Sequence, residues 1–300
     1  MDAWQDIMVT GIVPKILDRQ EEGGYWGLPR DFYIRSKYKG TVWQLIILAE
    51  MGAHGADERV RRACEFIFEN SQDRSSGGFS IQGTPKNGGN HSAVNPCLTG
   101  NMVYSLIKLG YLEDPRLQRG IDWIAAYQRF DDRVDKPPEG WPYDMAYGCW
   151  GRHTCSMGAI KALKALVEIP EMKRSPGVKE VIDRGAEYFL QHHVHKRSHN
   201  PEKVCKPGWL SLGFPLMYQT DALEILWILV ELGYRDGRMQ EALDLALSKQ
   251  DGRGRWILEN TFNGRFQVDI ESKGRPSKWI TLRALRVLKA FGSGSTVTIR

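Results

Sequence analysis

Several groupings in this 300-residue chain have residue types and spacings that can do chemistry. Asp131-Asp132-Arg133-Val134-Asp135 sets three carboxylates within five residues, a pattern able to hold a divalent cation. Pro137-Pro138 follow, so a solvated acidic loop is the expected reading and magnesium is not expected. His195 and His199 have the i, i+4 spacing of a metal pair on a helix. They close a long amphipathic stretch, where His, Lys and Arg also complement the negative end of a helix dipole. Asp221, in Tyr218-Gln-Thr-Asp221-Ala-Leu-Glu224, opens a strongly apolar segment. Buried there, its carboxyl would keep its proton toward neutral pH and could donate it; the competing role is a helix N-cap. Asn95-Pro-Cys97 and His153-Thr-Cys155 open two further apolar segments.

Helices must position these residues. Five segments are apolar on nearly all faces: 42–51, 102–109, 157–167, 223–232 and 280–288. Such helices need burial on all sides. Gly52, Gly110 and Gly233 follow three of them as C-terminal caps. Amphipathic patterns alternate with these, with apolar residues three and four apart: Val60, Cys64 and Ile67; Leu117, Ile121 and Ile124; Met239, Leu243 and Leu247. The first amphipathic helix is expected over residues 3–17. A phrase then recurs after the amphipathic pattern. Gln20, Gly24 and Trp26 repeat as Gln250, Gly254 and Trp256. Gln72, Gly77 and Phe79 form a variant with one extra residue, and Gln128, Gly140 and Trp141 a variant with a long insertion.

Stacked as hairpins, with apolar helices inside and amphipathic helices outside, this pattern gives an all-α fold, an α/α toroid of five to six hairpins spanning residues 1–300 as a single domain. An open helical solenoid is the alternative, but the unequal loops 73–96, 129–152 and 193–217 differ from an array of near-identical repeats. Hydrophobic residues at 42% and charged residues at 26% exclude a disordered chain. No apolar run reaches the ~18 residues of a spanning helix, and the N-terminus carries no export-signal pattern. Five cysteines without a CxxC pair fit reduced thiols. The expected location is therefore cytoplasmic, with a membrane-peripheral role as the alternative. A net charge of +5 is too weak to imply nucleic acid, yet permits an anionic ligand.

The Gln-Gly-Trp phrases resemble the QW motifs of squalene and oxidosqualene cyclases. The alternating helices are similar to those of these cyclases and of protein prenyltransferase β subunits, over about residues 20–290. The resemblance implies that the glutamine and tryptophan are structural staples, and that the chain is an isoprenoid-handling enzyme of the terpene cyclase and prenyltransferase superfamily. The acid motif Asp-x-Asp-Asp of protonating cyclases is missing, which leaves Asp221 as the candidate acid. Prenyltransferase β subunits hold zinc with an Asp, a Cys two residues later and a distant His. By that resemblance Cys97 and His153 are expected zinc ligands and catalytic residues. Asn95 stands where the family has Asp, and Cys149 is the expected replacement ligand. Against this, Cys97 and Cys155 also read as small buried hydrophobes and His153 as a helix-end hydrogen bonder. A partner subunit would accompany a protein prenyltransferase.

Basic residues collect ahead of the apolar helices: Arg35, Lys37 and Lys39; Arg152; Lys196, Arg197, Lys203 and Lys206; Lys273, Arg275 and Lys278. Helix N-termini favour anions, so this end is expected to hold a diphosphate-like head, with Lys37, Arg152 and Lys278 as its contacts. Trp43, Tyr104, Trp150, Phe214, Tyr218, Trp227 and Trp279 lie on or before the apolar helices. Of these, Trp43, Tyr104, Tyr218 and Trp279 are the expected cavity wall for an apolar chain, their ring faces suited to a developing carbocation. Prenyl transfer or cyclisation is the expected chemistry. The alternative is a non-catalytic toroid scaffold that binds a lipid or a protein.

Overall fold

The apolar runs become helices where their periodicity places them, and the computed structural model describes residues 3–145 and 149–292. In chain order the helices are α1 (Ala3–Val9), α2 (Ile12–Leu17), α3 (Thr41–Glu50), α4 (Glu58–Asn70), α5 (Pro96–Lys108), α6 (Pro115–Tyr127), α7 (Ser156–Val167), α8 (Pro176–Gln191), α9 (Ala222–Glu231), α10 (Gln240–Ser248) and α11 (Lys278–Gly292). The single helix expected over 3–17 is two. Gly11 adopts φ 76°, a left-handed conformation that interrupts the ladder. Short antiparallel ladders sit in the loops: β1 (Gly83–Thr84) with β2 (Gly88–Gly89), β3 (Lys196–Arg197) with β4 (Asn200–Val204), and β5 (Trp256–Ile257) with β6 (Pro276–Ser277).

The chain divides into two units: Met1–Ile182 with Phe262–Ile270, and Asp183–Thr261 with Glu271–Arg300. In the first, α3, α5 and α7 pack in succession, while the amphipathic α4 and α6 pack against α3 and α5. Nearly every residue of α3 is buried, whereas α4 exposes Glu58, Arg61, Arg62 and Glu69. In the second, α9 packs against both α10 and α11.

The recurrent phrase acts as a stitch. Gln20 Nε2 donates to the Arg59 carbonyl at 2.8 Å, and Gln72 Nε2 to the Arg116 carbonyl at 2.6 Å. Both acceptors lie in the first turn of the next amphipathic helix, which a preceding aspartate caps: Asp57 for α4 and Asp114 for α6. Gly24 and Gly77 have φ of 82° and 86°, and a Cβ on either would lie 2.6 Å from a carbonyl of that helix, at Arg62 and Arg119 respectively. The aromatic then enters the core. Trp26 Nε1 donates to Ile16 O (2.9 Å), and Trp256 Nε1 to Ala246 O (2.6 Å), each ten residues back.

A third component was not legible as a motif. The backbone N–H groups of Trp26, Phe79 and Trp256 donate to the hydroxyls of Thr41, Thr99 and Thr281, each in the first turn of α3, α5 and α11 respectively. Thr99→Val keeps the shape and leaves the buried Phe79 N–H unpaired. It is expected to cost about 1–3 kcal/mol in urea unfolding, against a few tenths for an exposed threonine.

The fourth phrase does not follow this pattern. Gln128 Nε2 donates to its neighbour's carbonyl, Arg129 O at 2.7 Å, and its Oε1 is buried without a partner. Trp141 is only half-buried and stacks on His91. The insertion carries the ring away from the staple position that the sequence spacing assigns to it.

Candidate functional site

The strongest convergence of nominated residues lies in the first unit. Asn95 caps α5, its Oδ1 accepting from the N–H groups of Cys97 (3.1 Å) and Leu98 (3.4 Å). The same oxygen takes the Cys97 S–H at 2.9 Å, while Asn95 Nδ2 reaches Cys149 Sγ at 3.5 Å. Cys149 in turn hydrogen-bonds Cys155, which occupies the position before α7 without a side-chain capping bond. Cys97 and Cys149 thus meet at one amide, and Cys155 joins them through Cys149.

Two of these thiols, Cys97 and Cys149, are shifted toward the protonated form. Burial pushes Cys97 up to about 12; Cys155 adds to this, and a hydrogen bond from Tyr33 and the charge of Lys161 oppose it. Cys149 is pushed far up by its hydrogen bond to Cys155, then by burial. The structure brings together Cys97 and Cys149 of the expected ligand set and adds Cys155, but His153 is elsewhere. Its Nδ1 lies 3.0 Å from Asp132 Oδ1 and 3.1 Å from the Arg133 backbone nitrogen, with the side chain 53% exposed. Among the described residues no three His, Cys, Asp or Glu side chains are grouped to hold a metal ion. The zinc set expected by resemblance is not assembled by these side chains.

The other metal patterns are also accounted for. Asp131 is paired with Arg129 at 2.6 Å and Asp132 with His153, so the acidic run serves its own loop. His195 and His199 do not share a helix, because α8 ends at Gln191 and His193 and Val194 turn the chain with positive φ. His195 precedes β3, is buried, and has its pKa pushed down by that burial; His199 lies in the β3–β4 turn. Gly148, beside Cys149, lies outside the described residues.

Of the expected substrate contacts in this unit, Trp43 is buried under Tyr33, which stacks on it at 4.8 Å, and under Tyr38 at 5.2 Å. Tyr104 is buried with the Lys164 ammonium 4.4 Å from its ring centre. Lys37 lies 5.5 Å from the Tyr38 ring, and Arg152 Nε donates to Val134 O at 3.2 Å. The protein's own cations therefore already cover the faces of Tyr38 and Tyr104.

In the second unit Asp221 caps α9. Its Oδ1 accepts from the Glu224 N–H and its Oδ2 from the Gly213 N–H, both at 2.8 Å. Burial pushes it up to about 6, opposed by the charge of Arg283 and by those two hydrogen bonds. Phe214, next to Gly213, stacks on Trp279 at 5.1 Å, and Lys278 lies 5.3 Å from the Trp279 ring centre. Arg283 sits 5.4 Å over Trp227. Trp227 and Trp279 each bury an indole N–H that has no hydrogen-bond partner among the described residues. Tyr218 is half-buried in the turn before α9, and Lys196 is taken up by Glu241 at 2.7 Å. Asp221, Trp279 and Lys278 thus fall in one neighbourhood; Arg283 is a member that sequence reasoning missed, its signal being only a basic residue one turn into an apolar helix.

No protein-family model matches the chain, and no curated protein does. Among solved structures, a sugar epimerase from a ruminal bacterium matches at TM-score 0.52 and 16% identity, covering 98% of this chain and 81% of that one. The chain has the α/α toroid fold. Cellobiose 2-epimerase from Bacillus thermoamylovorans matches at TM-score 0.49 and 13% identity, covering 99% and 88% of the two chains. A type II terpene cyclase, MstE, from Scytonema matches at TM-score 0.36 and 12% identity, covering 93% and 95%. Among the described residues no helix is long and apolar enough to cross a membrane.

Proposed function

We propose that the chain, taken as one domain, is an enzyme of the terpene cyclase and prenyltransferase type. It binds an apolar isoprenoid chain with an anionic head and begins cationic chemistry by donating the Asp221 proton. The observation that carries this reading is a fully buried carboxyl raised to about 6, at the start of an apolar helix and beside the stacked Phe214–Trp279 pair. The Asp221 proton would pass to an alkene carbon, leaving a tertiary cation near aromatic ring faces. Loss of a proton from the product cation would then restore the acid. Lys278, Arg283 and the unpartnered indole N–H groups of Trp227 and Trp279 are donors suited to the anionic head. No step is assigned to a metal, because His153 is held at Asp132 rather than at the thiols.

A second reading, a lipid-binding scaffold without catalysis, is favoured by the capping bonds that already occupy both Asp221 oxygens.

One experiment separates the two. Lipids that co-purify from the native host are identified by mass spectrometry, and the protein is then incubated with squalene and with farnesyl and geranylgeranyl diphosphates. The enzyme reading expects a new product, reduced about 100-fold or more in Asp221→Asn. A bound lipid that never changes, or product formation untouched by the substitution, would overturn it. Asparagine keeps one acceptor to cap α9 at the Glu224 N–H but faces the Gly213 N–H with an amide donor, so circular dichroism first checks that the variant folds. The substitution should also remove a pH dependence. The folded value of about 6 exceeds the ordinary 3.8, so this group's stabilisation is complete below about pH 4 and is lost as pH rises through 6.

A further inference from the structure

We propose that Asp73 and His91 form a second active site in the first unit, in which His91 acts as general base toward water for hydrolysis of a phosphate ester. This is independent of the isoprenoid reading.

The two residues meet because the β1–β2 hairpin folds back on the chain that follows α4. Gly89 N–H donates to Gln72 O at 2.8 Å, which sets His91 beside Asp73. His91 Nδ1 lies 2.8 Å from Asp73 Oδ2, and the Asp73 side chain is only 6% exposed. Burial alone would raise the Asp73 carboxyl. Hydrogen bonds from Ser76, His91 and Ser75 outweigh it and hold the group below its ordinary value. A carboxylate only accepts, so at this distance Nδ1 carries a proton, and in the neutral ring the lone pair is then on Nε2. Ser75 Oγ also approaches Nδ1, at 2.8 Å, rather than Nε2. The serine is therefore not placed as a nucleophile activated by this histidine, and Nε2 has no partner among the described residues.

The ring is clamped as well as oriented. Trp141 stacks on it at 4.2 Å and 9°, and Trp141 Nε1 donates to His91 O at 3.0 Å. Tyr127 meets Trp141 edge-on at 5.0 Å. Half of the His91 side chain remains exposed. It opens on a cleft of about 1030 Å³ whose wall includes Arg30, Arg35, Gln82 and Asn87. Neither Arg30 nor Arg35 is paired with an acid among the described residues. Asp31 also lines the cleft, but its oxygens take the Arg35 N–H at 2.8 Å and Ser36 Oγ at 3.0 Å, which fixes the turn presenting Arg35.

An open cleft admits water, which favours hydrolysis over chemistry that must exclude it. Two guanidinium groups on the wall of the same cleft as a base suit a phosphoryl group, whose charge they would hold through the transition state. Nε2 would take a proton from water as its oxygen bonds phosphorus. The P–O bond to the leaving group breaks, and the same proton then passes from Nε2 to the departing alkoxide. Water is the only co-reactant.

The test uses p-nitrophenyl phosphate and bis(p-nitrophenyl) phosphate, with p-nitrophenyl acetate as the neutral control. The full chain should hydrolyse at least one phosphate ester, and His91→Gln should lose about 100-fold in kcat. Arg30→Ala and Arg35→Ala should raise KM about tenfold on the phosphate ester and leave the acetate unaffected. Asp73 is a positioning residue, so Asp73→Asn should lower kcat and replace a single His91 tautomer by a mixture in ¹⁵N NMR. Absence of phosphate-ester hydrolysis, hydrolysis unchanged in His91→Gln, or equal dependence of acetate and phosphate esters on the arginines would each overturn the proposal.

Discussion

Glu50→Ala is expected to lower the unfolding free energy by about 3–5 kcal/mol, a large part of the ~5–15 kcal/mol typical of a folded domain. Glu50 at the end of α3 pairs with Lys164 on α7, and their side chains are 8% and 3% exposed. Lys164 also leans on the Tyr104 ring. Removing the carboxylate takes a close counter-charge from a buried ammonium, and the cost is mostly that of the poorly compensated charge rather than of the lost attraction. The pair replaced together, Glu50→Leu with Lys164→Met, should therefore recover most of the loss. Urea unfolding of the two variants checks this. A single variant within about 1 kcal/mol of wild type would mean that water reaches the ammonium.

Trp26→Ala should be comparably damaging, at about 3–5 kcal/mol, because it empties a fully buried indole volume and removes one of the donors to the Ile16 carbonyl, which keeps only the Arg19 N–H at 3.1 Å. Trp26→Phe separates the two contributions. It retains most of the apolar volume, so the part of the loss that persists belongs to the carbonyl and to the smaller ring. Trp256→Ala, with its own buried ring and its bond to Ala246 O, should follow the same order of effects. Thermal unfolding followed by circular dichroism measures both series.

The helices were largely legible because burial on all faces leaves a run such as Val42–Met51 with few polar residues, and because Gln20 and Trp26 recur at fixed spacing as Gln250 and Trp256. The threonine acceptors were not, since a threonine in a first helical turn is common and nothing marks Thr41, Thr99 and Thr281 as a set until the aromatic N–H groups are located. Trp141 misled for a related reason. Its spacing from Gln128 fits an interrupted phrase, but a long insertion frees the ring to go elsewhere, and it went to His91. The candidate site was only partly readable. Asp221 was recognisable as an acid at the start of an apolar helix, whereas Cys155 joined Cys97 and Cys149 through a loop whose path no periodicity encodes. His153 was drawn to Asp132 by a charge 21 residues away. The Asp73–His91 pair spans a hairpin of glycines and polar residues, which carries no helical or strand signal at all.

In the stitch between successive hairpins, Gln20 and Gln72 grip main-chain carbonyls at Arg59 and Arg116, not side chains. A carbonyl is supplied by whatever residue occupies the position. The grip is thus blind to sequence on its receiving side, and one half of each join is free to drift over evolutionary time without loosening. An architecture fastened in this way can outlive nearly all of its recognisable spelling.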